Sequence, residues 1–249
     1  CANDLIRIPP NLINQERIIE IDANKYAFLK NKVIYDDEDF LIFNKPSDYA
    51  VHSGTKNDHG LIDVLRIVLK NSSLNLCHRL DKGTSGCLVI AKNQKFLSFF
   101  NNQLKQRKVK KIYHALVKDF IPERMVIEDS IDTNTKGSFY KVSINKNGKE
   151  AKSILKPLKK LDCSSLIEIE ILTGRTHQIR AQCEKINKNV ANDKKYGCND
   201  FNTRLKHSGI KRLGLHSSEI SFLDLDNKRN TFIADYDDQF EKMLSYLNT

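Results

Sequence analysis

Apolar residues occur along this chain in short runs whose period changes from segment to segment. "KIYHALV" (111–117) alternates, with Ile112, His114 and Leu116 on one side and Tyr113, Ala115 and Val117 on the other, which predicts a strand. "LIEIEILT" (166–173) alternates too, with Ile167, Ile169 and Ile171 inward and Glu168 and Glu170 outward. "CLVIA" (87–91) reads as a buried strand, and "LNLCHRL" (74–80) as an alternating one before it. The helical period governs other stretches. "LIDVLRIVLK" (61–70) is a helix candidate, and "FLSFFNNQL" (96–104) places Phe96, Phe99, Phe100 and Leu104 together as expected core. "THQIRAQCEKI" (176–186) reads as a polar helix start after the break at Thr173-Gly174. "FEKMLSYL" (240–247) groups Phe240, Met243, Leu244 and Leu247. Strands and helices mix without regular β–α alternation, so the expected class is α+β.

The first 22 residues differ in character. "CANDLIRIPPNLINQERIIEID" passes through Pro9-Pro10, which favours an extended connector, and it opens on Cys1 rather than Met. It reads as a linker or the end of a preceding domain.

Composition narrows the class. No apolar run reaches the roughly 18 residues of a membrane helix, and the chain opens with no signal-peptide core. The six cysteines form no CxxC and no zinc-spaced cluster, so reduced thiols and a cytoplasmic setting are expected. The formal net charge of +10 favours a polyanionic partner, and "KQRKVKK" (105–111) concentrates it. No HExxH, GxSxG, GxxxxGK[ST] or GxGxxG occurs, so most hydrolase, NTPase and dehydrogenase readings lose their entry point.

Two segments could carry chemistry. "HRLDKGTSG" (78–86) joins two predicted strands and holds the carboxylate of Asp81. In strand register Arg79 and Asp81 share a face, away from Leu76, His78 and Leu80. The Asp either stabilises a turn or is held rigidly at a strand end for chemistry. "TGRTHQIRAQ" (173–182) puts Arg175, His177 and Arg180 where a strand ends and a helix begins. It can capture phosphate, meet a buried carboxylate, or simply face solvent.

Taken together and in order, these segments resemble the RluA-type RNA pseudouridine synthases. "HRLDKGTSG" fits that family's HRLDxxTSG at every fixed position, and "TGRTHQIR" contains its GRTHQIR in full. "NKPSDYAVHSG" (44–54) is similar to KPxGxxVH, with Asp48 at the usual Gly. "KKIYHALV" (110–117) is similar to KxYxAxV, "NDKKYG" (192–197) to GDxxYG with Asn192 at the first Gly, and "LGLHS" (213–217) to LxLHA. Ala181-Gln182 stands where the family usually has Val-His. Within the family the likeness is greatest to the group acting on large-subunit ribosomal RNA.

The resemblance implies a pseudouridine synthase fold, with a mixed, mostly antiparallel central sheet flanked by helices and loops. It implies residues 23–249 as the catalytic domain and 1–22 as a linker with the end of an S4-type RNA-binding domain. It implies an isomerase that converts specific uridines of 23S ribosomal RNA to pseudouridine after flipping them out, as a monomer with no cofactor, no metal and no membrane. Asp81 is then the essential carboxylate, Arg180 its partner and Tyr113 the active-site tyrosine. Arg79 fills the vacated stack, Ile179 touches the base, and Lys45, His52, Arg175 and His177 line the RNA path or brace the site. The alternatives are a transfer RNA substrate within the same family, or a non-catalytic RNA-binding protein of ribosome assembly.

Overall fold

The computed structural model describes residues 21–53, 59–133 and 141–248. The proposed linker and S4 remnant therefore lie almost wholly outside the described residues. After a 3-10 turn (Ala27–Lys32), strands β1 (Val33–Asp36) and β2 (Phe40–Lys45) are followed by helix α1 (Leu61–Val68). Strands β3 (Asn75–Leu76) and β4 (Ser85–Ala91) and helix α2 (Gln94–Lys105) come next. They lead into β5 (Lys110–Lys118), β6 (Met125–Asp132), β7 (Ser143–Ile144), β8 (Lys149–Leu161) and β9 (Ser164–Ile171). Helices α3 (Gln178–Lys185) and α4 (Asn199–Lys206), strands β10 (Leu215–Leu223) and β11 (Arg229–Ile233), and helix α5 (Asp238–Tyr246) complete the order.

All strands join one sheet, ordered β1-β2-β4-β10-β5-β9-β8-β6-β7, with β3 on β4 and β11 on β10. Every pairing is antiparallel except β4 with β10. The α+β expectation holds, with that one parallel pair in the interior of the sheet.

The alternation read from the sequence becomes two buried faces. On β2, Leu41 and Phe43 pack with Leu88, Ile90, Tyr113, Ala115, Ile167, Ile169 and α1. Phe40 and Ile42 pack on the other face with Val89, Phe96, Phe100, Ile220 and Phe222. Phe40 stacks on Phe96 at 4.5 Å between ring centroids. Helix α2 starts at Asn93, whose side chain accepts the Phe96 N–H at 2.9 Å. Its core face differs from the sequence expectation: Leu104 is only partly buried against the core. Phe99 is only half-buried, whereas Gln103 is buried and uses its amide on both backbone groups of Leu223, at 2.8 and 2.9 Å. A polar side chain thus closes the end of β10 where an apolar one was expected.

The strand "LNLCHRL" is also shorter than its alternation predicts, since β3 ends at Leu76. Cys77 N–H still donates to the Val89 carbonyl at 3.1 Å. The return bond from Val89 N–H goes to His78 Nε2 at 3.0 Å, where an antiparallel ladder would offer a carbonyl. The imidazole ends the ladder. Residues 78–81 therefore lie outside any strand: His78 stacks on Phe100 of one buried cluster, Leu80 belongs to the other, and all four contribute to the lining of one cleft. Among the described residues no helix is long and apolar enough to cross a membrane.

Candidate active site

The parallel pair fixes the site. Ser85 and Gly86 open β4 and pair with His216 and Ser217 of β10, and Ser217 pairs with Tyr113 of β5. Gly86 has φ +105°, and a Cβ there would lie 2.1 Å from the Ser217 carbonyl oxygen. Only glycine lets the two strands approach so closely. This accounts for the Gly that closes "HRLDKGTSG".

The loop ahead of β4 is tied at each residue. Thr84 N–H donates to the Asp81 carbonyl at 3.0 Å, Ser47 Oγ to the Gly83 carbonyl at 2.9 Å, and Lys45 Nζ to the Lys82 carbonyl at 3.1 Å. Ser85 Oγ meets His216 Nδ1 at 2.7 Å and accepts from Arg212 Nη2 at 3.0 Å. Burial pushes His216 down to about 4, so it is a neutral ring whose Nε2–H donates to the Ala234 carbonyl at 2.9 Å. Its Nδ1 is left to accept from Ser85. Asp81 therefore leaves a loop whose backbone has little freedom, and it lines a cleft.

Lys45 belongs to this scaffold rather than to an RNA path. Its side chain is fully buried, and Nζ donates also to the Pro46 and Tyr49 carbonyls at 2.9 and 2.8 Å. Burial pushes the ammonium down to about 7, while three carbonyl acceptors suit its charged form. Lys45→Met is expected to orphan these carbonyls and lower stability by about 2 kcal/mol. Urea unfolding measures this, and an unchanged midpoint would show that Lys45 braces nothing.

Across the cleft stands α3, which is buried rather than solvated, with Ile179, Arg180, Ala181, Gln182 and Cys183 all interior. Arg180 Nη1 donates to Asp81 Oδ2 at 3.0 Å. Its Nε and Nη2 donate to the two oxygens of Asp193 at 2.6 and 2.8 Å. One planar fork thus joins a fully buried carboxylate to the one at the cleft. Burial opposes the Arg180 charge, yet Asp193 and Asp81 hold the guanidinium above its ordinary range. Burial likewise opposes the charge of Asp193. Arg180 and the Lys195 and Tyr196 amides, at 2.8 and 3.0 Å, outweigh it and hold the carboxyl below its usual range.

His177 precedes α3 in the left-handed region, φ 54°. The Tyr196 hydroxyl accepts Val142 N–H at 2.8 Å and is hydrogen-bonded to His177 Nδ1 at 2.9 Å. The other ring nitrogen, Nε2, faces Asp81 Oδ2 at 3.8 Å. Burial lowers the His177 pKa and keeps the ring neutral. Tyr113 lines the cleft; burial raises its pKa, so it is a phenol and not a phenolate at neutral pH.

The cleft itself measures about 420 Å³ and gathers Arg79, Asp81, Tyr113, Arg175, His177, Ile179 and Arg180. Arg79 is exposed at its rim, and Arg175 Nε donates to the Glu150 carbonyl at 2.9 Å. His52 is exposed and does not line the cleft. Sequence reasoning assigned no role to Asp193 or Tyr196, although both lie within "NDKKYG", nor to Lys111 beside Tyr113.

A family model described as RNA pseudouridylate synthase matches residues 39–185, which carry the Asp81 loop, Tyr113 and Arg180. The chain belongs to this family. Curated relatives with the name ribosomal large subunit pseudouridine synthase C agree along nearly its full length. That of Buchnera aphidicola subsp. Baizongia pistaciae is 36% identical over 98% of this chain and 80% of its own, and that of Haemophilus influenzae 34% identical over 99% and 78%. Among solved structures, human RNA pseudouridylate synthase domain containing 1 superposes with a TM-score of 0.70 at 28% identity, covering 82% of this chain and 83% of that one.

Two departures from the pseudouridine synthase motifs have a common explanation. Asp48 and Asn192 stand at usual glycine positions, and both have positive φ, 68° and 55°. Asp and Asn are the residues that best tolerate that region after Gly. The third departure is accommodated by hydrogen bonding. Gln182 accepts from Ser153 Oγ at 2.7 Å and donates to the Ala151 carbonyl at 3.0 Å and Asp129 Oδ2 at 3.2 Å.

Proposed function

We propose that this RNA pseudouridine synthase isomerises uridines of large-subunit ribosomal RNA, the substrate named for its curated relatives, with Asp81 as the reacting carboxylate. The observation that carries this reading is the Arg180 fork, which aims one oxygen of Asp81 into a cleft while a second, buried carboxylate balances its charge. The N1–C1′ bond of the uridine breaks, the uracil turns, and C5 joins C1′. The C5 proton then leaves as N1 gains one, so the product is an isomer of the substrate. A carboxylate serves this sequence by attacking C1′ or by taking the 2′ proton.

A base inside a folded RNA cannot reach Asp81, so the uridine must leave its stack, at a cost of about a few kcal/mol. Arg79, exposed at the cleft rim, is placed to occupy the space left behind. Tyr113 offers its ring to the uracil and a neutral hydroxyl as donor, while Ile179 supplies an apolar wall. His177, tethered to Tyr196, stands beside Asp81 with its Nε2 3.8 Å from Oδ2. Residues 23–249 form the catalytic unit in this reading.

The test uses unmodified 23S ribosomal RNA and transfer RNA in parallel, with pseudouridine mapped by carbodiimide labelling and primer extension. Stops in the ribosomal RNA are expected. Stops in transfer RNA alone would move the substrate assignment, and none in either would overturn the reaction.

A further inference from the structure

Lys111 is a cation in the cleft that the chemistry above does not use. It lies two residues before Tyr113 on β5, so both side chains leave the same face, and both line the cleft. The other interior cations are satisfied. Lys45 has three carbonyls, Arg180 two carboxylates, and Arg212 Asp237 with the Leu213 and Leu215 carbonyls. Lys111 is half-buried, and burial alone lowers its pKa, with no counter-charge acting on it. Among the described residues it has no hydrogen-bond or ion-pair partner. Holding an ammonium in this way costs free energy that a substrate anion could recover.

The opposite wall leaves this ammonium open. An ideal Cβ at Gly174 would lie 3.4 Å from Lys111 Nζ, with nothing else within 4 Å. Gly174 does not adopt a positive φ, so the backbone does not require a glycine there. Its missing side chain keeps the Lys111 head accessible from the cleft. Among the described residues Asp81 is the only carboxylate in the lining, whereas Arg79, Lys105, Lys111, Arg175 and Arg180 are all cationic.

At neutral pH the uracil and ribose of a uridine carry no charge. The one anion that a nucleotide within a strand brings into this cleft is its phosphodiester. The geometry points to Lys111 as the residue that takes a phosphodiester oxygen of the RNA strand at the extruded uridine. This rests on the reading of the cleft as the RNA site. It gives the cleft a purchase on the backbone beside its contacts to the base, and so fixes how deeply the nucleotide enters.

The test compares wild type, Lys111→Met and Lys111→Arg for binding a labelled, uridine-rich single-stranded RNA across a series of potassium chloride concentrations. Lys111→Met keeps the stem and removes the charge. It is expected to fold at least as stably as wild type, since it relieves a desolvated ammonium, and thermal unfolding checks this. Its binding is expected to be weaker, with a log–log salt slope shallower by about 0.7, the value for one phosphate contact on a single strand. Lys111→Arg restores the slope. A purely structural role would move stability and leave the slope alone. An unchanged slope in Lys111→Met, or no binding by wild type, overturns the inference. Pseudouridine formation by wild type is scored separately. A shallower slope without isomerisation would retain the phosphate contact and remove the reaction, and isomerisation with an unchanged slope would do the reverse.

Discussion

Asp81→Asn is expected to lower the rate of pseudouridine formation by at least about 10⁴-fold, the scale on which removal of an attacking group is felt. Folding and RNA affinity should stay close to wild type. The asymmetry follows from the Arg180 fork. An amide at position 81 keeps the shape and an acceptor oxygen for Arg180 Nη1, while the guanidinium retains both bonds to Asp193. No buried charge is orphaned, so the stability change should be about 1 kcal/mol or less. RNA affinity should hold or rise, because the variant removes the only negative charge from a cationic cleft. Single-turnover conversion with carbodiimide detection measures the rate, and thermal unfolding measures the fold. Asp81→Asn retaining most of the wild-type rate would remove this carboxylate from the chemistry.

The sheet was legible in the chain because its strands obey simple alternation. "KIYHALV" and "LIEIEILT" sit side by side as the strands β5 and β9 that the pattern predicted, although both faces of β5 are buried, which alternation alone did not say. Phe96 and Phe100 reached the core as helical spacing predicted, but Phe99 did not, because the neighbouring stripe goes to Gln103. Periodicity cannot register an apolar position replaced by a buried amide whose partners lie on a distant strand. The same blindness shortened β3, where a side-chain nitrogen of His78 takes a ladder bond that alternation assigns to the backbone.

The site was legible in its named motifs and opaque in its pairings. Arg180 and Asp81 are 99 residues apart in sequence, and Asp193 meets Arg180 from the opposite direction. No local pattern shows that one guanidinium serves both. Lys45 marks the limit from the other side. A lysine in a basic chain reads as a surface contact, yet here it is wholly interior and ties Lys82, next to Asp81. A cation's function depended on which acceptors the fold placed around it.

Arg180→Met should lose activity and stability together, and the second loss is traceable to Asp193 rather than Asp81. The Asp193 carboxylate is fully buried. Without the fork it keeps the Lys195 and Tyr196 amides. Breaking one side of a buried pair costs about 3–5 kcal/mol, which urea unfolding at neutral pH would show. Pairing Arg180→Met with Asp193→Asn removes the stranded charge and should recover much of that stability, while activity stays absent because nothing orients Asp81. The pH dependence supplies a check of sign. In wild type Asp193 has a depressed pKa, so its stabilisation is present at neutral pH and is lost as pH falls below the ordinary carboxylate value. In Arg180→Met, burial without a counter-charge raises that pKa above the unfolded value. The folded variant then binds the proton more tightly than the unfolded chain, and acid stabilises it relative to wild type. The stability gap should therefore narrow as pH is lowered from neutrality towards the carboxylate range. A gap independent of pH would mean that the lost stability comes from packing around α3 and not from the charge of Asp193.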